Sequence, residues 1–132
     1  MVSPIKRSSA MSGTNYLVDT NFLIYLLNGN ASVKPYLNDS LFLSEITEME
    51  LLGVQDIPQL VLKTRTALID NCFLVNFNSD IKEIAIHIKQ KASIKLPDAI
   101  IAASALYMGM PLISADKDLT RVEGLDLILL KR

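Results

Sequence analysis

Short apolar runs alternate along the chain with longer segments whose apolar residues recur at spacings of three and four. The apolar runs predict strands at 16–18, 41–43, 72–77, 111–115 and 125–130. The longer segments predict helices at 22–27, 44–52, 57–71, 80–93 and 98–108, with shorter helical pieces at 32–37 and 118–122. Continuous apolar runs are typical of parallel strands that are buried on both faces. We therefore predict an α/β domain whose parallel sheet of about four or five strands carries helices on both faces.

Composition narrows the class of protein. A chain of 132 residues, half of them apolar, can bury a core as one domain. No apolar run reaches the roughly 18 residues of a membrane span, and the one cysteine, Cys72, suits a reducing cytoplasm. With 13 basic and 14 acidic side chains, no overall positive field indicates a nucleic-acid partner. Residues 1–13 lack the apolar core of a signal peptide; we expect a flexible tail there and one domain over 14–132.

Asp19 is the first candidate for chemistry, in the segment NYLVDTNFLIYLL. It follows a predicted strand and precedes a predicted helix. In open α/β sheets this carboxyl edge of the strands is where ligands bind. The alternative is that Asp19 or Thr20 only caps the following helix.

Two further aspartates fit the same edge. Asp98 is the only charged residue of LPDAIIAASALYMGM, a helix so apolar that it must be buried on most sides. A buried carboxylate is costly unless a cation compensates it, so pairing with Lys95 is the structural alternative. Asp116 ends the fourth predicted strand as Asp19 ends the first, although it could simply begin a turn, with Asp118 capping the short helix that follows.

Glu50 is more ambiguous. Thr47 and Glu50 match a capping box, in which each side chain satisfies the other's backbone amide. That role and a metal-binding role are equally consistent with the local sequence.

Carboxylates that converge at one edge repel one another and are stabilised by bound cations. Oxygen-only ligands select hard ions such as Mg²⁺ or Mn²⁺. Zinc is disfavoured, because the chain offers one histidine, His87, and one cysteine. No serine–histidine–acid set and no phosphate-binding glycine-rich loop is present in the sequence.

The four acids and their surroundings resemble a PIN domain, and specifically the VapC-type ribonuclease toxins of type II toxin–antitoxin pairs. The resemblance covers about 16–130 and is carried by four segments: YLVDTNFLIYLL, LSEITEMELLG, LPDAIIAASAL and LISADKDL. It implies a parallel sheet between helices and metal-dependent hydrolysis of RNA with one or two Mg²⁺ or Mn²⁺ ions. It further implies a cognate antitoxin and a homodimer in the cytoplasm.

By motif, the resemblance assigns catalysis and metal binding to four acids: Asp19, Glu50, Asp98 and Asp116. The polar residues expected to support them are Asn21, Thr47 and Asp118. Candidates to contact RNA phosphates are Lys95, Lys117 and Arg121.

Two other functions remain open. The chain could be a non-catalytic interaction module that keeps the PIN fold and binds a protein or RNA partner; the intact acid set argues against it. It could also be a phosphatase-like enzyme with Asp19 as nucleophile. Such enzymes generally need an acid two positions later, where this chain has Asn21.

Overall fold

The structure, a computed structural model, describes residues 14–131. Its strands are β1 (Asn15–Val18), β2 (Ser40–Ser44), β3 (Phe73–Val75), β4 (Leu112–Ser114) and β5 (Leu127–Leu129). Its α-helices are α1 (Thr20–Leu27), α2 (Glu45–Leu52), α3 (Gln59–Asp70), α4 (Ser79–Lys91) and α5 (Leu96–Met108). Two 3₁₀ helices cover Ala31–Tyr36 and Lys117–Arg121. The predicted tail at 1–13 lies outside the described residues.

The five strands form one parallel sheet in the order β3-β2-β1-β4-β5. The chain builds outward from β1 through β2 to β3, then returns to the other side of β1 for β4 and β5. The strand order therefore reverses between β1 and β4, where Val18 lies beside Ile113. Such a reversal opens a crevice at the carboxyl ends of the two strands, where Asp19 directly follows β1 and Asp116 lies two residues beyond β4.

Each face of the sheet carries its own hydrophobic core, because successive side chains of a strand point to opposite faces. Leu17 of β1 and Leu112 of β4 pack in a core with residues of α4 and α5. Their neighbours Val18 and Ile113 pack on the opposite face with residues of α1. The predicted fold class, a parallel α/β sheet between helices, is confirmed.

Local hydrogen bonds and backbone conformation determine where two of the helices begin and end. The side chain of Ser44 accepts a hydrogen bond from the Ile46 amide and begins α2 directly after β2. Helix α5 ends at Gly109, whose φ of 65° is the left-handed conformation that glycine adopts at little cost. These caps hold the helices at the boundaries that the apolar spacing predicts.

Several predicted boundaries were wrong. Helix α3 begins at Gln59 rather than at 57, because Pro58 is extended and precedes the helix. Strands β3 and β5 have three residues each and are shorter than their apolar runs. Asp116, not Asp118, caps the second 3₁₀ helix: its carboxylate accepts a hydrogen bond from the Asp118 amide at 2.9 Å.

Cys72 is buried, as expected of a small apolar side chain, and His87 is exposed. Within residues 14–131 the longest helices have 13 residues, and none of the helices there has the length and apolarity needed to cross a bilayer.

Candidate active site

Asp19 is a buried carboxylate at the centre of the sheet, with only 5% of its surface exposed. Its Oδ1 accepts a hydrogen bond from the Phe22 amide at 2.9 Å and so caps α1. Its Oδ2 accepts one from the Ser114 hydroxyl at 2.5 Å. Burial raises the pKa of Asp19, these two hydrogen bonds oppose the rise, and the charges of Asp116 and Glu50 add to it. Asp19 therefore caps a helix and also lies within the electric field of the other acids.

Ser114 connects two of the acids. It is fully buried at the end of β4, and while its hydroxyl donates to Asp19, its oxygen accepts the Asp116 amide at 2.9 Å. One side chain thus fixes the Asp19 carboxylate and the backbone that carries Asp116.

Asp98 lies in the first turn of α5, half buried, and faces the other acids. Burial raises its pKa to about 6, and repulsion by Asp116 contributes next. A hydrogen bond between the two side chains acts in the same direction, because the protonated carboxyl of Asp98 donates to Asp116. A neighbouring cation would lower this pKa instead, so the structure does not support the alternative in which Lys95 neutralises Asp98.

Glu50 extends from α2 towards these acids, and its charge contributes to the raised pKa of both Asp19 and Asp98. Its side chain is exposed, and its Oε1 accepts a hydrogen bond from the Thr20 hydroxyl at 2.5 Å. The capping-box alternative is wrong: Ser44 caps α2. Thr47 is fully buried, and its hydroxyl oxygen has no hydrogen-bond partner within residues 14–131.

The set of candidate donors suits a hard divalent cation, since all four candidate side chains are carboxylates. The electrostatics point the same way, because a cation would reduce the repulsion from the other acids that helps raise the pKa of Asp98. As they stand, no three acidic, cysteine or histidine side chains in the described part of the chain are placed to enclose a metal ion. Binding of an ion through three of these side chains therefore requires the carboxylates to move closer together.

A cleft of about 930 Å³ opens beside Asp116. Asn21, Lys95, Lys117 and Asp118 line it, as does Lys131 beyond β5. Two of the three predicted RNA contacts and two of the three predicted supporting residues therefore share one cleft with Asp116. The third supporting residue, Thr47, does not line it.

Arg121 is placed differently. Its guanidinium donates to the Ser93 carbonyl at 2.8 Å and lies 3.4 Å from the Asp118 carboxylate. It lines a separate cavity with Lys91 and His87. Its predicted contact with RNA would need a different approach from that of Lys95 and Lys117.

Two features of the site were not predicted from the sequence: the role of Ser114 and the contact of Thr20, a polar residue beside Asp19, with Glu50. A signal for Ser114 exists, because it is a polar residue inside the apolar run of β4 and a buried hydroxyl requires a partner. Thr20 carries no such signal, because its partner lies 30 positions away.

The chain belongs to the PIN-domain family: the PIN domain model matches residues 16–125. Among solved structures, a toxin–antitoxin complex from Klebsiella pneumoniae is similar with 31% identity and a TM-score of 0.71, over 86% of this chain and 95% of the other. VapBC-1 from nontypeable Haemophilus influenzae is similar with 25% identity and a TM-score of 0.69, over 88% and 98%.

VapBC2 from Rickettsia felis, bound to a promoter DNA fragment, shares the fold at 19% identity, with a TM-score of 0.74 over 89% of this chain and 100% of the other. No curated protein sequence matches the chain significantly. The resemblance to VapC-type PIN toxins is confirmed by these comparisons.

The raised pKa of Asp98 predicts a pH-dependent effect of Asp98→Asn on stability. A carboxyl whose pKa is higher in the folded than in the unfolded state stabilises the fold below the unfolded value of 3.8, and this contribution is lost as the pH rises through about 6. In chelator, we expect Asp98→Asn to raise the melting temperature by a few degrees at pH 8 and by much less at pH 4.5. Melting curves of both proteins across this range measure the difference. A constant difference would contradict the assignment. Asp80→Asn on α4 is the control.

Proposed function

We propose that this chain is a metal-dependent endoribonuclease that hydrolyses RNA phosphodiester bonds and acts as the toxin of a toxin–antitoxin pair. One observation carries the proposal: burial of Asp98 and the charges of three nearby carboxylates raise its pKa to about 6. Strongly perturbed acids in a crevice mark functional sites more often than structural ones. A second, independent support is the membership of the PIN family, whose members generally use divalent ions.

In this proposal Asp19, Glu50, Asp98 and Asp116 hold one or two Mg²⁺ or Mn²⁺ ions. When bound, such ions make water a stronger nucleophile at neutral pH and neutralise charge on the phosphate oxygens. With a pKa of about 6, Asp98 is largely ionised at neutral pH and would be available to hold a cation. Asp19, hydrogen-bonded at both oxygens, would hold it from a fixed position.

The cleft beside Asp116 is the proposed path of the RNA backbone. Lys95 precedes Asp98 by three residues and Lys117 follows Asp116 directly, and both lysines line this cleft together with Asp116. We assign them to phosphate groups on either side of the cleaved bond. Arg121 is expected to contribute less, because its guanidinium is already hydrogen-bonded.

A cognate antitoxin is the proposed protein partner, since the similar structures include toxin–antitoxin complexes. The buried Cys72 is consistent with the proposed cytoplasmic location.

A homodimer is proposed through an apolar groove of about 380 Å³ between α4 and α5, lined by Phe77, Ile86 and Leu96. These side chains are 48 to 58% exposed. The groove continues past Phe77 to a second one that includes Glu48, while Lys82 lines the first. Lys82 and Glu48 carry opposite charges on the same face, which a self-complementary two-fold pairing can bring together.

The nuclease is tested with wild type, Asp98→Asn, Asp116→Asn and the control Asp80→Asn on structured and unstructured RNAs, with Mg²⁺, Mn²⁺ or chelator. We expect cleavage that needs metal and falls by about 100-fold or more in the two site variants, as when one electrostatic stabiliser is removed. Asp80 is exposed on α4, so its variant should cleave normally. Metal-independent partner binding without cleavage of any RNA would instead favour the non-catalytic interaction module.

The lysine assignment is tested by RNA binding at several salt concentrations, in the Asp98→Asn background to prevent cleavage. Lys95→Gln and Lys117→Gln should each weaken binding and reduce the slope of log K against log salt by about 0.7, the value for one contact to a single strand. Arg121→Gln should change the slope less. Lys82→Gln, which lies in the separate apolar groove, is the control. Unchanged slopes for Lys95 and Lys117 would rule out phosphate contacts.

The dimer is tested by light scattering on Ile86→Glu, which places a charge in the apolar groove. We expect the wild type to be a dimer at micromolar concentration and the variant a monomer. Leu60→Glu is the matched control, because Leu60 is 75% exposed on α3, outside the groove. A monomeric wild type, or a dimer lost only in the control, would contradict the proposed face.

A further inference from the structure

Glu50 differs from the other three acids in how it is held. Asp19 and Asp116 cap helices with their carboxylates, and Asp98 lies in the first turn of α5. These three side chains are short, and their backbone lies at the crevice. Glu50 lies within α2, carries a longer side chain and is exposed. Fixing such a side chain in one conformation costs up to roughly 2 kcal/mol of rotamer entropy. We therefore expect Glu50 to bind a cation weakly unless another residue restricts the conformation of its side chain.

Thr20 restricts the conformation of the Glu50 side chain. Its hydroxyl donates to Glu50 Oε1 at 2.5 Å, across the contact between α1 and α2. Thr20 is the first residue of α1 and directly follows Asp19, whose carboxylate is tied down at both oxygens. The Thr20 hydroxyl is therefore held at a fixed position relative to Asp19. Its own χ1 is restricted by branching at Cβ.

The hydroxyl has no capping duty that would explain it. The side chain of Asp19 caps α1 by accepting from the Phe22 amide, and Thr20 lies one position inside the helix. The Glu50 contact is the hydrogen bond that the hydroxyl makes in the described part of the chain.

We propose that Thr20 is a positioning residue that keeps the Glu50 carboxylate at the crevice, beside Asp19, from where it binds the cation. Thr20 itself binds no cation: it occupies Oε1 and leaves Oε2 to the ion. This inference rests on the proposed function, because it assigns Glu50 to a divalent cation. It adds a determinant of metal affinity that lies outside the acid set.

The test measures Mn²⁺ binding by calorimetry and RNA cleavage in parallel for Thr20→Val, Thr20→Ser and Glu50→Gln. Valine keeps the shape of threonine and removes only the hydroxyl, whereas serine keeps the hydroxyl. Thr64→Val is the matched control, since Thr64 is exposed on α3 and donates to the Leu60 carbonyl. Thr20→Ala serves if valine does not fold, and melting temperatures verify folding.

We expect Thr20→Val to weaken Mn²⁺ binding by about 10-fold or more, the usual effect of losing a partner that orients a ligand. Thr20→Ser should remain near wild type, and Thr64→Val should be unchanged. In the Glu50→Gln background the Thr20→Val substitution should have no further effect, because the two residues act as one unit. A purely structural threonine would lower the melting temperature and leave Mn²⁺ affinity unchanged.

Three outcomes separate this inference from the proposed function. Mn²⁺ binding that is lost in Asp98→Asn but unchanged in Thr20→Val overturns the role of Thr20 alone. Additive effects of Thr20→Val and Glu50→Gln overturn it as well. A wild-type protein that binds no Mn²⁺ overturns the metal site and this inference together.

Discussion

The burial of Asp19 is the constraint on which the rest of the site depends. A buried carboxylate without partners costs several kcal/mol, and here the cost is offset by the Phe22 amide at the start of α1 and by the Ser114 hydroxyl. The first of these partners belongs to the helix that leaves β1, and the second belongs to the adjacent strand β4. Asp19 is therefore stable only where both strands are in register and α1 begins immediately after β1. The same geometry places Asp116 beside it, because the oxygen of Ser114 accepts the Asp116 amide.

Packing explains why the other acids stay close to Asp19 despite repulsion. Helix α5 buries Ala99 and a continuous run from Ile101 to Ala105, in contact with α4 and the sheet. A helix anchored along its length cannot withdraw its first turn, so Asp98 remains in the field of the other carboxylates. Its raised pKa is the consequence. The hydrophobic core thus holds together charges that would separate in a flexible chain, and a bound cation or a shared proton relieves the repulsion.

The sequence predicted well what local patterns determine. Apolar runs located the strands, spacing located the helices, and the rule for parallel sheets placed Asp19 and Asp116 at one edge. Prediction from the sequence failed where a contact joins residues that are far apart along the chain. Ser114 and Asp19 are 95 positions apart, and Thr20 and Glu50 are 30 apart. The capping box at Thr47 and Glu50 matched its pattern, but β2 runs directly into α2, and the residue at that junction, Ser44, takes the cap instead. The apolar runs also extended beyond the ends of β3 and β5, because apolar residues continue into loops that cover the core.

The distribution of charge around the crevice reconciles a nearly neutral chain with the proposed RNA substrate. Lys95 and Lys117 each lie within three positions of an acid of the site, so opposite charges alternate over a short distance along the chain. Over the whole molecule they nearly cancel, to a net charge of −1. At the crevice the two signs are separated: the acids lie close enough for the charges of Asp116, Asp19 and Glu50 to raise the pKa of Asp98, while the lysines line the adjacent cleft. Cations held by the acids would extend the positive surface of the lysines into one continuous track. Net charge therefore says little about nucleic-acid binding in a protein of this kind, since the acids that lower the net charge are the residues that would bring positive ions to the phosphate.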